Sequence, residues 1–365
     1  MNTMETFPRD KLDPRRTTGL ILCGMGGPDS PEAVQPFLRN LFQDPLIFPV
    51  PRLVAGLAGR LIAWRRAPEV RERYAMVSED SATPQLPTTR RQAALLAEKM
   101  NAAGRSTLPG VAMRYWDPYP DQTVAELMGN GARQFLIVPT YPQYSGATNG
   151  STIDYVLDSL SRITPGAAVH VVADWNLLPG FIASLAKPAS DRLEAWADAG
   201  LDPAVCSLVY VAHSLPMSFI KKGDPYLVRT QETIKAVHAL VTARMAELGR
   251  TEWFEALQAG GREPCLTFQS KVGPIAWLGP QIDQEVPRLG AAGCRHLMVQ
   301  PVSFTCEHIE TLLELDVELK EEAAAAGIVD FNRGAALNLD PVWLDSLAAE
   351  LLDNSFAPEV DRIVP

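Results

Sequence analysis

The sequence predicts an α/β protein built from two similar domains, each with a parallel sheet covered by helices. Apolar segments of strand length alternate along the chain with amphipathic segments of helix length, which is typical of parallel α/β architecture. The pattern restarts after a link near 160–175, where SLVYVAHSLP at 207–216 repeats the design of GLILCGMGGP at 19–28. A weak internal repeat of this kind indicates two related domains with a cleft between them.

The first half contains a regular succession of strand and helix signals. Strands are predicted at 18–25, 111–116 and 134–141, with helices beginning at Pro31 and covering 89–104 and 121–131. Asp29 or Ser30 can cap the first helix, which opens with Pro31, and Gly104 can end the second. The first strand ends at Gly26-Gly27-Pro28, but GMGGPDS is not the GxGxxG of dinucleotide sites, and Pro28 lacks an amide for a phosphate.

The second half repeats this succession. Strands are predicted within 207–216, 264–274 and 294–304, and helices over 225–249, 281–293 and 341–352. The two halves also end alike, with QFLIVPTYPQYSGATNGST at 134–152 parallel to HLMVQPVSFTCEHIET at 296–311.

Composition bounds the function. A chain of 365 residues and 39.8 kDa can bury two cores. A net charge of −10 without a basic tail argues against nucleic-acid binding. The five cysteines are scattered without a CxxC motif, which favours buried thiols in a reducing compartment. No apolar run reaches the length of a membrane span, and the first 16 residues read as a loose tail.

The most informative stretch is PVSFTCEHIETLLELDVE at 301–318. At helical spacing, Glu307, Glu310, Glu314 and Glu318 form one stripe. Like charges so placed repel by a few tenths of a kcal/mol per adjacent pair on an exposed helix, so protons, a cation or solvation must offset them. The stretch follows a buried-looking strand, where α/β proteins place their sites. A plain solvated helix face, best suited to Asp316, is the alternative.

Two of the five histidines, His213 and His308, fall at equivalent strand ends. A histidine there is suited to proton transfer because its pKa lies near neutrality, although satisfaction by backbone groups is the alternative. A serine hydrolase is excluded, since there is no GxSxG elbow and Ser214 is adjacent to His213.

Basic and apolar features point to a ligand with both characters. Arg65-Arg66, Arg114 and Lys271 could meet ligand carboxylates, or could be ordinary surface charges. The segment 45–64, PLIFPVPRLVAGLAGRLIAW, could be an apolar lip over a greasy ligand or a membrane surface, with a domain-packing helix as the alternative.

Together these segments resemble the ferrochelatases, from about residue 18 to about 350. The resemblance is carried by five blocks in family order: MGGPDSPEAVQPFLRNLFQDP at 25–45, PQYSGATNGS at 142–151, AHSLPMSFIKKGDPY at 212–226, QSKVGPIAWLGPQID at 269–283 and SFTCEHIETLLELDVE at 303–318. It implies two Rossmann-like, chelatase-type domains, each a parallel four-stranded sheet flanked by helices, with a porphyrin cleft between them. It also implies a π-bulge in the acidic helix.

The resemblance also implies roles for single residues. The catalytic residues it implies are His213, Glu310 and His308. The metal-binding residues it implies are His213, Glu310, Glu314 and Glu318. The substrate-binding residues it implies are Met25, Arg66, Tyr74, Arg114, Tyr144, Ser145 and Trp277.

The implied reaction is insertion of Fe²⁺, as a substrate, into protoporphyrin IX to give protohaem in the last step of haem biosynthesis, the work of a lyase-type chelatase. Two pyrrole protons must leave and the planar ring must bend before four nitrogens can take a metal. A coproporphyrin III chelatase, another tetrapyrrole chelatase and a non-catalytic porphyrin- or haem-binding protein remain alternatives. SEDSATP at 78–84 departs from the family's Gly-Gly-Ser-Pro turn, which leaves the propionate contacts there open.

No tightly bound cofactor is predicted. An iron–sulfur cluster is not expected, because no cysteine follows Cys306 and Gly146 occupies the internal position that some relatives use. The predicted partners are porphyrin and ferrous iron, with no nucleic acid, and a monomer and a homodimer are both open. The predicted location is cytoplasmic, with peripheral contact to the inner face of the cell membrane left open.

The predicted organisation has four parts: a flexible tail at 1–16, an N-terminal Rossmann-like domain at 17–165 with an apolar lip at about 45–66, a C-terminal Rossmann-like domain at 166–335, and a helix and tail at 336–365 that pack back on the body.

Overall fold

The structure is a computed structural model that describes residues 6–44, 52–77, 83–259, 265–273 and 275–353. Residues 52–55 and 265 are described by their backbone alone. The chain divides into two compact units, one of Met1–Trp175 with Leu347–Pro365 and the other of Asn176–Ser346.

The first unit contains a parallel sheet of four strands in the order β2-β1-β3-β4. The strands are β1 (Thr18–Gly24), β2 (Thr107–Met113), β3 (Gln134–Pro139) and β4 (Ala168–Val171). The helices are α1 (Val34–Gln43), α2 (Arg52–Ala75), α3 (Gln85–Ala102), α4 (Pro120–Gly129) and α5 (Ser151–Ile163), and a π-helical segment precedes α5 at Gly146–Gly150. Ile21, Phe135 and Ile153 are fully buried in the core where α5 packs on this sheet.

The second unit repeats the same sheet order, β6-β5-β7-β8, with all pairs parallel. The strands are β5 (Cys206–His213), β6 (Cys265–Gln269), β7 (His296–Pro301) and β8 (Asp330–Arg333). The helices are α6 (Pro179–Asp198), α7 (Met217–Lys221), α8 (Tyr226–Glu247), α9 (Thr251–Ala259), α10 (Ile282–Ala291), α11 (Ile309–Leu312) and α12 (Lys320–Ala325). The last helix, α13 (Pro341–Asp353), is divided between the two units after Ser346. A 3₁₀ turn at Pro203–Val205 and a π-helical segment at Glu314–Leu319 complete the unit. The predicted pair of similar four-stranded α/β domains is confirmed.

Two of the four outer strands, β4 and β8, were absent from the strands predicted one by one. Their sequences, AVHV and DFNR, are four residues long and include polar side chains, so neither forms an apolar run. The boundary predicted between 165 and 166 falls ahead of β4, which pairs with β3 in the first unit. The division follows Trp175 instead.

The described part of the segment before β1, residues 6–16, packs on the first unit, contrary to the flexible tail predicted for 1–16. Phe7 and Leu12 are 5 % and 1 % exposed. Asp10 N donates to Val169 O at 3.0 Å and Val171 N donates to Pro8 O at 2.9 Å, so the segment runs antiparallel along β4. Covering this outer strand satisfies backbone groups that would otherwise be open at a sheet edge. Residues 1–5 lie outside the described residues.

The last helix was predicted as part of a separate segment at 336–365, but its residues are shared between the two units. Ser346 belongs to the second unit, where its Oγ accepts from Gly180 N at 3.0 Å. A Cβ on Gly180 would clash with the backbone oxygen of Val342, so α6 and α13 approach closely because this residue is glycine. Residues 354–365 lie outside the described residues.

Two general expectations from composition can be compared with the structure. Cys23, Cys206, Cys294 and Cys306 are free and buried, as predicted, while the side chain of residue 265 lies outside the described set. Among the described helices none is long and apolar enough to cross a membrane.

Candidate functional site

His213 is the last residue of β5, at the carboxyl end of the second sheet. Its Nδ1 donates to the carbonyl of Ser214 at 2.6 Å, which directs Nε2 towards Glu310. The Tyr226 hydroxyl donates to the backbone oxygen of His213 at 2.8 Å. The imidazole is 37 % exposed, so the ring is oriented by the fold and still accessible.

Glu310 lies on α11, just beyond β7, and faces His213 and His308. Its Oε1 is 3.5 Å from His213 Nε2, and its Oε2 is 3.7 Å from His308 Nδ1. Its backbone N–H donates to His308 Nδ1 at 3.3 Å, so His308 caps the helix. The His308 ring packs edge-on against Phe304, with centroids 4.0 Å apart. The three predicted catalytic residues therefore lie together.

The electrostatics of this cluster separate the two histidines. Burial alone would lower the pKa of His213, but the negative charge of Glu310 outweighs it and raises the pKa to about 9. Burial opposes ionisation of Glu310, yet the adjacent His213 holds the pKa of the carboxyl well below its usual range. Burial lowers the pKa of His308, against the attraction of Glu310, which suits an unprotonated Nδ1 acceptor. At neutral pH the substrate-free site thus holds an imidazolium–carboxylate pair.

Glu314 is held by the end of β6. Ser270 Oγ donates to Glu314 Oε2 at 2.6 Å, and Gln269 Nε2 donates to the same oxygen at 3.2 Å. Gln269 Nε2 also donates to the carbonyl of Glu310 at 2.8 Å, where α11 is about to end and carbonyls lose their helical partners. Ser270 adopts a left-handed backbone with φ of 65°, which L residues seldom do. The pair at the β6 end fixes both carboxylate-bearing turns.

The acidic stretch does not form the single stripe that regular helical spacing predicts for it. α11 ends at Leu312, and a π-helical segment begins at Glu314, which agrees with the π-bulge that the family resemblance implies. Glu307 precedes α11 and pairs with Arg333 at 2.8 Å, and Asp316 pairs with Arg333 at 2.6 Å. Asp316 is partly exposed, as the solvated face suggested, but it also has a charge partner, and the largely buried Arg333 side chain is the counter-ion that offsets these two acids.

The four predicted metal ligands are not gathered into one coordination sphere. Across the described residues, no group of three or more His, Cys, Asp or Glu side chains is arranged to hold a metal ion. Glu318 is half-buried in the π-helical segment. Metal binding by His213, Glu310, Glu314 and Glu318 stays a prediction.

Sequence reasoning missed several residues that position this site. Tyr226, Gln269 and Ser270 lie inside the family-like blocks, where a hydroxyl or amide at a strand end was the available signal. Arg333 had no such signal, because it ends the polar strand β8.

Three residues of the first unit that were predicted to contact substrate differ in how far they are buried. Met25 is half-buried after β1, and its backbone N donates to the Tyr141 hydroxyl at 2.7 Å. Arg66 is half-buried on α2, 5.8 Å above the ring of Phe42. Tyr74 is 7 % exposed. These positions stay predictions.

Arg114 is engaged within the first unit. Its Nε and Nη2 donate to Asp44 Oδ2 at 2.9 and 2.7 Å, so its charge already has a carboxylate partner. It borders an open cavity of about 320 Å³, whose lining residues are Asn40, Gln43, Asp44, Arg114, Tyr115, Tyr119 and Tyr155. A substrate carboxylate would have to share Arg114 with Asp44.

Tyr144 and Ser145 have almost no exposed surface, and the substrate contacts predicted for them stay predictions. Tyr144 is 0 % exposed and packs edge-on against Phe7, with centroids 6.0 Å apart. Ser145 is 1 % exposed and accepts from Ala147 N at 3.2 Å, capping the first π-helical segment. Tyr144 belongs to the apolar core of the first unit, and Ser145 supports the start of the segment at 146–150.

The remaining predicted positions divide between the second unit and the undescribed residues. Trp277 is half-buried, and its indole N–H donates to Val272 O at 2.9 Å. Residues 45–51 of the apolar lip and 78–82 of the SEDSATP segment lie outside the described residues.

Comparison with known proteins gives concordant matches. A model of the family described as Ferrochelatase matches residues 17–354. The ferrochelatase of Gloeobacter violaceus is 35 % identical over 348 residues, covering 92 % of this chain and 97 % of its own. That of Geotalea uraniireducens is 36 % identical over 332 residues, covering 91 % and 96 %. The sirohydrochlorin chelatase of Bacillus subtilis subspecies spizizenii, solved with cobalt, covers 93 % of this chain and 97 % of its own at a TM-score of 0.47 and 10 % identity, too distant to support a conclusion.

Proposed function

The chain belongs to the ferrochelatase family, and from that premise we propose that it inserts Fe²⁺ into protoporphyrin IX to form protohaem. The reaction breaks two pyrrole N–H bonds, forms four Fe–N bonds and releases two protons, with no change in oxidation state. A site for it must accept protons, admit a divalent cation and hold a strained macrocycle.

The observation that carries the proposal is the pair of His213 Nε2 and Glu310 Oε1, 3.5 Å apart at the end of β5. In the substrate-free site this pair keeps a proton on His213. An arriving Fe²⁺ adds positive charge beside the imidazolium and lowers its pKa, so His213 gives up its resting proton to solvent. Neutral His213 then accepts one pyrrole proton and the Glu310 carboxylate accepts the other, and both protons pass on to solvent.

Iron delivery is the role proposed for Glu314 and Glu318. Carboxylate oxygens are hard ligands that bind ferrous iron without the tight grip of thiolates, which suits a residue that must release the metal. Ser270 and Gln269 hold Glu314 at the end of β6, in the turn after Glu310. Neutral His308 keeps Glu310 oriented by accepting from its backbone N–H.

An anaerobic assay of haem formation from Fe²⁺ and protoporphyrin tests the proposal. We expect His213→Ala and Glu310→Ala each to lose at least about 100-fold in kcat, the scale of a general base. Glu321→Ala is the matched control, since Glu321 is an exposed carboxylate on α12. Near-normal turnover in both site variants would show that the catalytic assignment is wrong.

The same assay separates the alternatives. Faster insertion into coproporphyrin III than into protoporphyrin would assign the other porphyrin. Insertion of cobalt in preference to iron, or into a different tetrapyrrole, would assign another chelatase. Tight porphyrin binding without metal insertion would identify a non-catalytic binding protein, against which the presence of both His213 and Glu310 weighs.

We also propose peripheral membrane contact through α2, in a protein located in the cytoplasm. Leu57, Leu61 and Trp64 are 74 %, 64 % and 65 % exposed, and their spacing of four and three residues places them on one helix face. Exposed Arg60 and Arg65 accompany this apolar face and could meet anionic headgroups. In a flotation experiment, the wild type should rise with anionic liposomes, and a variant with serine at the three apolar positions should not. Equal flotation of both proteins would refute the contact.

A further inference from the structure

We propose that Arg333 is a positioning residue for iron insertion, which keeps the turns carrying His308, Glu310 and Glu314 in register. This inference rests on the proposed function of the His213–Glu310 pair. Arg333 ends β8, on the outer edge of the second sheet, and contacts no reacting group. Its effect would pass through the two carboxylates that it holds.

The contacts of Arg333 form a clamp between two segments. Its Nε and Nη2 donate to the two carboxylate oxygens of Asp316 at 2.7 and 2.6 Å, a two-point contact. Its Nη1 donates to Glu307 Oε1 at 2.8 Å and to the carbonyl of Gly334 at 3.0 Å. A planar guanidinium can satisfy both carboxylates at fixed angles, which the single ammonium of lysine cannot.

The clamp is largely shielded from solvent, so its loss would affect the local structure. The side chains of Arg333 and Glu307 are 9 % and 15 % exposed, and that of Asp316 is 37 % exposed. Glu307 is secured further, since its Oε1 accepts from Ala336 N at 2.9 Å and its own N–H donates to Asn338 Oδ1 at 3.0 Å. Removing the cation would leave a poorly solvated carboxylate without its charge partner, so the segment would have to move.

The segment that would move carries the chemistry. Glu307 immediately precedes His308, the cap of α11 and the acceptor of the Glu310 N–H. Asp316 lies inside the π-helical segment that begins at Glu314. Arg333 therefore fixes both ends of the stretch 307–316. A displacement of about 1 Å at a catalytic group can cost on the order of 100-fold in rate.

The first arm of the test is a double-mutant cycle. In Arg333→Lys and in Asp316→Asn we expect kcat for haem formation to fall by about 10- to 100-fold, with the Kd for porphyrin unchanged. The double variant should be little worse than either single one, because both act through the same contact. Arg288→Lys is the control, since Arg288 pairs with Glu285 but is 57 % exposed.

The second arm reports geometry without relying on turnover. In protein labelled with ¹⁵N-histidine, Arg333→Lys should shift the ring signals of His308 and His213. The signals of His170, His238 and His296 should stay in place. His296 is an internal control for β8, because its Nδ1 lies 3.4 Å from Asp330 Oδ2 on that strand. Glu307→Gln and Asp316→Asn provide the same measurement should Arg333→Lys fold poorly.

The outcomes decide between positioning and plain structural support. Unchanged kcat in Arg333→Lys and Asp316→Asn, or additive losses in the double variant, would overturn the proposal. So would ring signals that shift for all five histidines, or for none. A wild type that inserts no iron would refute the proposed function instead, and the labelled-histidine spectra would then decide the positioning of His308 on their own.

Discussion

Replacing Glu310 by glutamine should lower the pKa of His213, and this change tests the electrostatic core of the proposed site. Glutamine keeps the shape of the side chain and removes its charge. The raised pKa of His213, about 9, results from the attraction of Glu310 acting against burial. Without the charge, burial acts unopposed by its main competitor, so the pKa must fall.

The distance between the two groups sets the size of the effect. At 3.5 Å between Nε2 and Oε1, two unit charges attract by about 1 kcal/mol in water and about 5 kcal/mol at an effective dielectric of about 20. Because the His213 ring is 37 % exposed, solvent screening places the interaction in the lower part of that range. With about 1.4 kcal/mol per pKa unit, we expect a fall of about one to two units in Glu310→Gln.

NMR titration of the histidine ring protons between pH 5 and 10 measures the change directly. His213→Gln identifies the His213 signal by its disappearance. Glu321→Gln serves as the matched control, because it removes an exposed carboxylate from α12. An unchanged pKa of His213 in Glu310→Gln, or a fall of equal size in Glu321→Gln, would refute the electrostatic assignment.

The same pair makes a signed prediction about stability. A raised histidine pKa stabilises the fold fully below the ordinary value of about 6.5, and this contribution is lost as pH rises through about 9. A lowered glutamate pKa stabilises the fold above the ordinary value of about 4.3, and this contribution is lost as pH falls through the lowered pKa. The Tm difference between wild type and Glu310→Gln should therefore be largest near pH 5 to 6 and shrink towards pH 10. A difference that grows with pH would contradict this linkage.

Three further predictions follow from particular contacts. Ser270→Ala removes the 2.6 Å hydrogen bond to Glu314. In the anaerobic assay the KM for Fe²⁺ should rise several-fold, while the Kd for porphyrin stays constant. An unchanged KM would contradict a role of Ser270 in holding Glu314 for iron. Gly180→Ala would drive a Cβ against the backbone oxygen of Val342 and should lower the free energy of unfolding by about 1–3 kcal/mol in a denaturant titration. An unchanged free energy of unfolding would show that α13 can shift. Phe7→Ala should lower the free energy of unfolding by about 3–5 kcal/mol, because Phe7 is 5 % exposed in the core. A loss below about 1 kcal/mol would support the flexible tail predicted from the sequence.

The parts of the fold that sequence could predict are those with strong periodic signals. The strands β1, β3, β5 and β7 are the central strands of their sheets. Because both faces of a central strand are buried under helices, each of these strands has a nearly continuous apolar sequence, which can be recognised directly. β4 and β8 are outer strands with four residues each, and their polar side chains carry no such signal. The packing of Phe7 and Leu12 was missed because two apolar residues among charges look like an unstructured tail.

The candidate site also contains residues that the sequence could predict and residues that it could not. His213, Glu310 and His308 could be named from strand-end positions and family-like blocks, because the chain itself places them near β5 and β7. The partner of Glu307 and Asp316 could not, since Arg333 is distant in sequence and joins them only through the pairing of β8 with β7. Tyr144 and Ser145 lie in a family-like block, but block membership does not distinguish a residue that contacts a ligand from one that supports the fold.

Proton release during anaerobic haem formation tests the central claim, that His213 and Glu310 accept protons as Fe²⁺ enters the porphyrin. A weakly buffered stopped-flow experiment with a pH indicator follows both products at once. We expect two protons per haem in the wild type, with haem formation slowed at least about 100-fold in His213→Ala. Haem formation at the wild-type rate in both His213→Ala and Glu310→Ala would contradict it.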